Sequence, residues 1–529
     1  MSRDRVQEDL SAMAFTGMLL VAVLLLAAAA APAGASESFL ASVVSFAPVG
    51  DPRDGAPENL QKNLVDIQSL LSSAQLGTCD LVVLPELVFY YAGIERALAE
   101  GKAALREYAV PLPPVGSNPC AFKPGQQNAA FLRSLSCTAR DLGSYVVANV
   151  LDLVETGGGG YKLFNTDVAF DRTGSLVAKY WKWHTFGLSP LIDQPGECER
   201  RPASFETDFG VPFGLFVCFD IEFEDPVQVL LDEGVRHFAF SSAWVNNPPF
   251  GFATEIQQGW SKATGAALLA SNIGSGVSRA GSGIYVAGRE LATDFNSTAG
   301  PINRVSSALV PKTVDAGEAK RGPVRVPPSL APPNAGAIGN CSLEFLPGVS
   351  LNATCVVLGD KNNGPQSFSL SADDLECQFS IGGSTFEAGG TGVPVAVAFS
   401  TPVQFPSTVD AVDYKGCMIL PCVGYPLCSS PNWSSAVGKL GPTEIRMTAD
   451  GTQDRFIPLF SIVELPSKRV VSRELDDYEA AGTKEGSGTV ARIAKSSTDS
   501  KLERTASLGI INVKVLQGPA RLRFQRSVV

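Results

Sequence analysis

Residues 212–221 read PFGLFVCFDI, and this stretch decides how the first half of the chain is interpreted. The run from Phe213 to Cys218 is typical of a buried strand, because a strand covered on both faces carries continuous apolar residues. A helix is predicted to begin at Pro226, with Asp225 as its cap. Cys218 therefore ends a strand, where its thiol can be exposed beside a free backbone N–H. A buried, inert cysteine is the commoner alternative.

The alternation of strands and helices extends on both sides of this stretch, over residues 40–300. Residues 80–85 contain a continuous apolar run, whereas residues 59–73 have helical spacing. Further strands are predicted at 41–46, 145–150, 166–170 and 236–241. Strands that alternate with helices in this way indicate a layered α/β domain, to which we assign residues 36–310.

The rest of the chain has a different character. Residues 311–336 contain six prolines and are predicted to form a stiff linker. Residues 337–465 are rich in Gly and Cys and lack a helical period, which predicts a small β domain held by disulfides. Residues 466–529 are charged and are predicted to form a mobile tail, although 508–516 could be a final strand.

The N-terminus has the pattern of a targeting segment. Arg3 and Arg5 precede an uncharged apolar run, and the sequence AGA at 33–35 fits a cleavage site. Residues 1–35 are therefore predicted to be a signal peptide, and no membrane anchor is expected after its removal. An uncleaved anchor is the alternative, because the apolar run is nearly long enough to span a bilayer.

The cysteines and glycosylation sequons are consistent with a secreted or lumenal protein. The chain has 11 cysteines, five before residue 300 and six after it. An odd count leaves at least one thiol over in an oxidising compartment, and removing one from the first group allows pairing within each half. The four sequons that predict glycosylation lie at Asn296, Asn340, Asn352 and Asn432.

Composition excludes several kinds of partner. The formal net charge is -11 and no basic block occurs, so nucleic acid is not expected to bind. Cys417, Cys422 and Cys428 lack a neighbouring histidine and favour disulfides over a zinc site. The glycine-rich segments at 274–276 and 281–283 lack the lysine of a phosphate-binding loop and are predicted to be turns. No metal or cofactor is therefore expected.

Two further strand ends carry residues capable of chemistry. Glu86 directly follows a buried strand, at the end where ligand crevices form in open α/β sheets. Lys182 lies between Trp181 and Trp183 at the end of another strand. Taken singly, a solvent-facing acid and a lysine with an exposed head are the more ordinary interpretations.

In this order, Glu86, Lys182 and Cys218 resemble the Glu–Lys–Cys triad of the nitrilase superfamily, and specifically its vanin/biotinidase branch. The motifs that carry the resemblance are LVVLPE at 81–86, YVVAN at 145–149, FNTDVAF at 164–170, PFGLFVCFDI at 212–221, DP at 225–226, SAW at 242–244, LASN at 269–272 and GSGIY at 281–285. A weaker likeness continues through GCMILPC at 416–422. The resemblance implies an αββα sandwich followed by a smaller disulfide-rich β domain.

The resemblance also implies a reaction. Glu86 would be the base, Cys218 the nucleophile, and Lys182 with the backbone N–H of Phe219 would stabilise the oxyanion. The substrate would be a small-molecule amide with a vitamin acyl group, and pantetheine is slightly favoured. Biocytin, and a non-catalytic binding protein on the same fold, stay open as alternatives, as does the oligomeric state.

The two histidines of the chain are predicted to have structural roles and not catalytic ones. His184 is expected to organise the loop after Lys182, and His237 to lie in the core. The candidates for the wall of the substrate pocket are Trp183, His184, Trp244 and Glu222.

One departure from the family pattern concerns the positioning of Lys182. Related enzymes carry a second Glu a few residues after the lysine, but residues 187–193 contain none. Asp193, Glu222 and Glu255 are the alternatives that could replace it.

Overall fold

The structure of the protein is a computed structural model. It describes residues 37–74, 79–123, 129–188, 191–246, 252–276, 279–295, 300–314, 338–346, 349–358, 366–381, 385–386, 393–403, 412–422, 425–428, 438–439, 443–450, 459–464, 478–485, 488–495 and 505–515. The predicted signal peptide at 1–35, most of the predicted linker, and the sequon residues Asn296 and Asn432 lie outside the described residues.

The first sheet of the N-terminal half has six strands. Their bounds are β1 Ser38–Ser45, β2 Leu81–Val83, β3 Tyr145–Glu155, β4 Tyr161–Phe170, β5 Leu176–Trp181 and β12 Arg304–Pro311. They are ordered β12-β1-β2-β3-β4-β5. β1, β2 and β3 run parallel, whereas β4, β5 and β12 pair antiparallel with their neighbours. The parallel strands are buried, as their continuous apolar runs predict.

The second sheet also has six strands. Their bounds are β6 Ala203–Glu206, β7 Pro212–Val217, β8 His237–Ser242, β9 Ala267–Asn272, β10 Ser282–Val286 and β11 Arg289–Asp294. They are ordered β11-β10-β9-β8-β7-β6, and β7, β8 and β9 run parallel. His237, in β8, is buried against the rings of Phe39 and Phe213, in agreement with its predicted place in the core.

Helices cover the outer face of each sheet. Their bounds are α1 Ala56–Ser73, α2 Tyr91–Glu100, α3 Lys102–Arg106, α4 Ala129–Leu142, α5 Val227–Asp232 and α6 Ala253–Thr264. α1 buries Leu60, Leu64, Ile67 and Leu71, which share one face at helical spacing, in a cluster with apolar residues of the first sheet. On the other side, Trp260 of α6 packs on Phe216 of β7 and Phe238 of β8. None of the helices in the described ranges is long and apolar enough to cross a membrane.

The two sheets face each other, and the space between them is the main core. Val43 and Val83 of the first sheet lie in one buried cluster with Leu215 and Ala239 of the second. The order of layers is therefore helix, sheet, sheet, helix. This confirms the αββα sandwich that the resemblance implies.

The C-terminal half is built from strands. Their bounds are β13 Gly339–Leu346, β14 Val349–Val357, β15 Gln366–Ala372, β16 Leu375–Ile381, β17 Thr385–Phe386, β18 Val393–Val403, β19 Val412–Cys422, β20 Leu427–Cys428, β21 Gly438–Lys439, β22 Thr443–Asp450, β23 Leu459–Glu464, β24 Tyr478–Glu485, β25 Gly488–Lys495 and β26 Thr505–Val515. They form one sheet ordered β17-β21-β26-β19-β18-β14-β13-β20, with β23 paired to β26, and a second ordered β15-β16-β22-β25-β24. Disulfides link Cys341 to Cys355, Cys377 to Cys417 and Cys422 to Cys428. This is the predicted disulfide-rich β domain.

The described parts of residues 466–529 differ from the mobile tail that their composition predicts. β24 and β25 pair with each other, and β25 continues the sheet of β22. β26 lies between β19 and β23 in the other sheet, and it overlaps the final strand that the sequence allowed at 508–516. Charged composition misled the prediction, because partner strands from elsewhere in the chain satisfy the backbone groups of these segments.

The cysteines of the N-terminal half pair less fully than the count allowed. Cys120 and Cys137 form a disulfide, but Cys79, Cys198 and Cys218 are free thiols. Cys79 is buried and hydrogen-bonds to Ser42 of β1, whereas Cys198 is exposed. Parity alone identifies one spare thiol, and only the fold distinguishes among the three.

Candidate active site

The three predicted site residues come together where strand ends of the two sheets meet. Glu86 follows β2, Lys182 follows β5, and Cys218 begins a 3-10 turn, Cys218–Glu222, directly after β7. The Nζ atom of Lys182 lies 2.7 Å from Oε1 of Glu86, and both side chains are almost completely buried. Two residues from different strand ends, Glu86 and Lys182, are therefore in direct contact.

The carboxylate of Glu86 is held by donors on both oxygens. Oε1 accepts hydrogen bonds from Nζ of Lys182 and from Nδ2 of Asn165, each at 2.7 Å. Oε2 accepts one from the backbone N–H of Ala243 at 2.9 Å. The thiol of Cys218 lies close to this carboxylate and to the same N–H, since both act on the pKa of the thiol. Hydrogen bonds to both of its oxygens fix the orientation of the Glu86 carboxylate, which can therefore accept the proton of the thiol.

Lys182 remains an ammonium ion although it is buried. Burial alone would lower its pKa, because it penalises the charged form. Glu86, followed by Cys218 and Asp220, outweighs that effect and raises the pKa above the ordinary lysine value. A fixed positive charge therefore lies beside the thiol.

Cys218 occupies a strained backbone conformation. Its φ is +46°, in the left-handed region that residues with a side chain rarely adopt. Such a conformation costs about 1–3 kcal/mol and persists only where the surrounding structure imposes it. Burial and then the Glu86 carboxylate raise the pKa of the thiol, against the opposing effects of Lys182 and the Ala243 N–H. The resting group is a thiol whose proton must be removed during a reaction.

Asp220 joins the turn of the cysteine to the loop of the lysine. Its Oδ1 accepts from the backbone N–H of His184 and contacts the ring Nδ1, each at 2.9 Å. Its Oδ2 accepts from the hydroxyl of Tyr180 at 2.8 Å and from the N–H of Val217 at 3.1 Å. The His184 ring also stacks on Phe223 at 3.8 Å. His184 thus lies in the loop that it was expected to organise.

The structure places two of the candidate replacements for the second Glu in other contacts. Asp193 pairs with Lys102 and accepts from the N–H of Leu163. Glu222 accepts from the hydroxyl of Tyr414. Neither of these contacts joins the acid to Lys182.

Asp220 is a further acid near Lys182, because its charge adds to that of Glu86 in raising the lysine pKa. Glu255, the third candidate, is buried in the first turn of α6. Sequence reasoning missed Asp220 although it lies two residues after the cysteine. The sequence did carry a signal for it, since Asp220 is the one charged residue in the apolar motif PFGLFVCFDI at 212–221.

A second missed feature is a chain of amides behind Glu86. Asn149 donates from Nδ2 to Oδ1 of Asn165 at 2.7 Å and to Oδ1 of Asp167 at 2.8 Å. Asn165 in turn donates to Glu86. Burial raises the pKa of Asp167 to about 8. Three polar residues inside otherwise apolar strands were the signal in the sequence.

The candidate pocket residues pack around the same core. Trp183 is buried in the cluster that contains Cys218, and Trp244 packs against that cluster. The Trp244 N–H donates to Oδ1 of Asn272 at 2.8 Å. The guanidinium of Arg200 lies 5.7 Å from the centre of the Trp183 ring. Within the described ranges, His, Cys, Asp and Glu form no group of three or more that could hold a metal ion.

The family model for the carbon-nitrogen hydrolases matches residues 41–258, which include all three strand-end residues. Residues 41–258, called the hydrolase domain below, are therefore similar to the carbon-nitrogen hydrolases. The matched segment ends inside α6, so the model does not extend to the β domain.

Curated relatives of this hydrolase domain have names from one branch. Vanin-like protein 3 of Drosophila melanogaster is 35% identical over 47% of this chain and 47% of that protein. Biotinidase of Takifugu rubripes is 34% identical over 44% and 46%, and pantetheinase of Homo sapiens is 32% identical over 46% and 48%. The chain thus spans about half the length of the curated relatives it matches. The resemblance to the vanin/biotinidase branch is confirmed.

Proposed function

We propose that the chain is an amidase that hydrolyses a small-molecule amide through an acyl-enzyme on Cys218. The observation that carries the proposal is the position of the Glu86 carboxylate, which contacts the Lys182 ammonium and acts on the pKa of the nearby Cys218 thiol. A base, a cation and a nucleophile placed close together are the groups that acyl transfer needs. The relatives named pantetheinase and biotinidase support the same class of reaction.

In the first half of the proposed reaction, Glu86 takes the proton of the Cys218 thiol. The sulfur then forms a bond to the amide carbonyl carbon, and the carbonyl electron pair moves to its oxygen. Lys182 and the backbone N–H of Phe219 stabilise this oxyanion. When the intermediate collapses, the carbon–nitrogen bond breaks and protonated Glu86 gives its proton to the leaving amine. The product that remains is a thioester on Cys218.

In the second half, Glu86 takes a proton from water while the water oxygen attacks the thioester carbon. The second tetrahedral intermediate uses the same oxyanion donors as the first. Its collapse breaks the carbon–sulfur bond, releases a carboxylic acid, and returns the proton to the thiolate. The sum is amide plus water giving acid plus amine, with no cofactor consumed.

The proposed substrate is pantetheine, which would give pantothenate and cysteamine. Biocytin, which would give biotin and lysine, is the second candidate, because the matched relatives include biotinidase as well as pantetheinase. Trp183, His184, Trp244 and Glu222 are the proposed residues of the pocket wall. A binding protein without activity is the third candidate, and it requires the Cys218 thiol to be inert.

We further propose that the chain is secreted or lumenal. Four disulfides support this, because such bonds persist in oxidising compartments. Asn340 and Asn352 are exposed on adjacent strands of the β domain, where glycans could be attached. We keep the proposed domain bounds at 36–310 and 337–465, with a linker at 311–336, and add the strands beyond residue 465 to the β domain.

The proposal is tested by comparing free-thiol release from pantetheine with lysine release from biocytin. The wild-type chain is expected to release thiol faster, and the Cys218→Ala variant to release neither product. The Cys198→Ala variant is the matched control, because it removes an exposed free thiol and should leave activity unchanged. Faster lysine release would favour the biotinidase alternative. Absence of both activities, together with a Cys218 that resists alkylation in folded protein, would contradict the proposed mechanism.

A further inference from the structure

The two halves of the chain make a specific polar contact beside the nucleophile. Tyr414 lies in β19 of the β domain, and its hydroxyl donates to Oε2 of Glu222. Glu222 is the last residue of the 3-10 turn that begins with Cys218. Both partners are buried, with exposed fractions of 2% for the tyrosine and 9% for the glutamate. The contact therefore joins the β domain to the turn that carries the thiol.

The turn needs to be held in place because its first residue is strained. Cys218 has a φ of +46°, which the surrounding structure must impose. Inside the hydrolase domain, Asp220 holds the middle of the turn through Tyr180 and His184. At the far end, the polar contact of Glu222 comes from the other domain. The turn is thus fixed from both domains.

We propose that Tyr414 is a positioning residue, through which the β domain holds the Cys218–Glu222 turn in its reactive geometry. A tyrosine hydroxyl suits this task, because a buried carboxyl group needs a hydrogen-bond partner. Burial raises the pKa of Glu222 to about 8, so the group is mostly uncharged at neutral pH. The contact can therefore fix the turn without placing a full negative charge close to the thiol. Under this inference, the β domain contributes a residue that positions the nucleophile of the active site.

The test compares Tyr414→Phe with Tyr425→Phe in the full-length chain. Both variants remove one hydroxyl from the β domain, and Tyr425 is the control because it lies between β19 and β20, outside the strand that carries Tyr414. Tyr414→Phe is expected to lower kcat for pantetheine about tenfold while KM changes less than about twofold, since the substrate is still bound but the nucleophile is displaced. Glu222→Gln retains an acceptor for the tyrosine hydroxyl, so the rate at which iodoacetamide alkylates Cys218 should stay within about threefold of wild type.

A second readout needs no substrate. Iodoacetamide alkylation is followed by peptide mass spectrometry at Cys218 and at the exposed Cys198 in the same molecule. Tyr414→Phe should slow alkylation of Cys218 severalfold and leave that of Cys198 unchanged, because only the first thiol depends on the turn. Glu222→Leu removes the contact from the other side and should give the same pattern, which provides a second variant if Tyr414→Phe does not fold.

The outcomes separate this inference from the proposed function, on which its kinetic part rests. If Tyr414→Phe lowers the melting temperature but keeps kcat and the Cys218 alkylation rate within about twofold of Tyr425→Phe, the tyrosine only packs the domains together and the inference is overturned. If wild type hydrolyses no amide while Tyr414→Phe still slows alkylation at Cys218, the proposed function fails and the inference stands.

Discussion

Asn165 donates its Nδ2 hydrogen to Oε1 of Glu86 at 2.7 Å, on the same oxygen that receives the ammonium of Lys182. Among the described residues, Oε1 accepts from two donors, whereas Oε2 accepts from the Ala243 N–H alone. Oε2 is therefore the better proton acceptor. We therefore expect Oε2 to receive the proton of Cys218. Asn165 matters for the reaction because it determines which oxygen is used.

Replacement of Asn165 tests this orientation. Asn165→Leu keeps the size of the side chain but removes one of the two donors on Oε1, so the carboxylate of Glu86 is held less firmly. We expect kcat to fall about tenfold or more, since misplacement of a catalytic group by about 1 Å can cost a hundredfold. Steady-state kinetics with pantetheine measure the effect. Gln68→Leu is the matched control, because it removes an amide donor to Thr138 away from the site. Equal kinetics in the two variants would show that Asn165 has no orienting role.

Glu86 is expected to be required for proton transfer and not only for charge. Glu86→Gln preserves shape and acceptor capacity on one atom but cannot take a proton. We expect kcat to fall by about 10²-fold to 10⁴-fold, the usual contribution of a general base. Alkylation of Cys218 should also slow, because the thiol loses the acceptor for its proton. The control is Glu199→Gln, which removes a carboxylate from a surface pair with Lys162. Retention of kcat in Glu86→Gln would exclude the proposed base.

The three central residues of the site could be predicted because their motifs resemble those of the nitrilase superfamily. Glu86, Lys182 and Cys218 each follow a strand, but taken singly each has a more ordinary interpretation. The layered fold follows from the apolar runs of the strands and from the helical spacing of α1. Local pattern is sufficient wherever one strand or helix determines the outcome.

The remaining features depend on how separate elements are placed against each other. Asn149 meets Asp167 because β3 and β4 pair with those residues in register, which no local pattern specifies. Tyr414 reaches Glu222 across 192 residues of chain. β24 and β25 were missed in a charged segment, because their place in the fold depends on the pairing of β25 with β22. These relationships are tertiary, so composition and periodicity do not reveal them.

Stability should depend on pH through two buried carboxyl groups. Burial raises the pKa of Asp167 and of Glu222 to about 8, from ordinary values of 3.8 and 4.5. Between about pH 4 and pH 8 the folded chain therefore holds more protons at these groups than the unfolded chain does. Their contribution to the free energy of unfolding should decrease as pH rises through this window and become constant above it.

Denaturant unfolding at pH 5, 6, 7 and 8 measures this dependence. Asp167→Asn mimics the uncharged form and should make the decrease shallower, by at most about 1.4 kcal/mol per pH unit. Asp141→Asn is the control for loss of one carboxylate, because Asp141 is exposed. An unchanged slope in Asp167→Asn would mean that Asp167 is ionised in the folded protein.

The disulfide between Cys377 and Cys417 is expected to contribute most to the stability of the β domain. It joins β16 of one sheet to β19 of the other and closes a chain separation of 40 residues, whereas Cys422–Cys428 closes only 6. In the loop-entropy description, a closure of that longer length stabilises the fold by about 4 kcal/mol, and a short one by less. Replacing Cys377 and Cys417 together by Ala should therefore lower the melting temperature more than replacing Cys422 and Cys428. Calorimetry of the two double variants measures the difference.

The same disulfide is also expected to affect the reaction. Because Tyr414 lies three residues before Cys417 in β19, the double variant of Cys377 and Cys417 should also reduce kcat, while that of Cys422 and Cys428 should not. A double variant of Cys377 and Cys417 with a lowered melting temperature but wild-type kcat would show that the active site does not sense this part of the β domain.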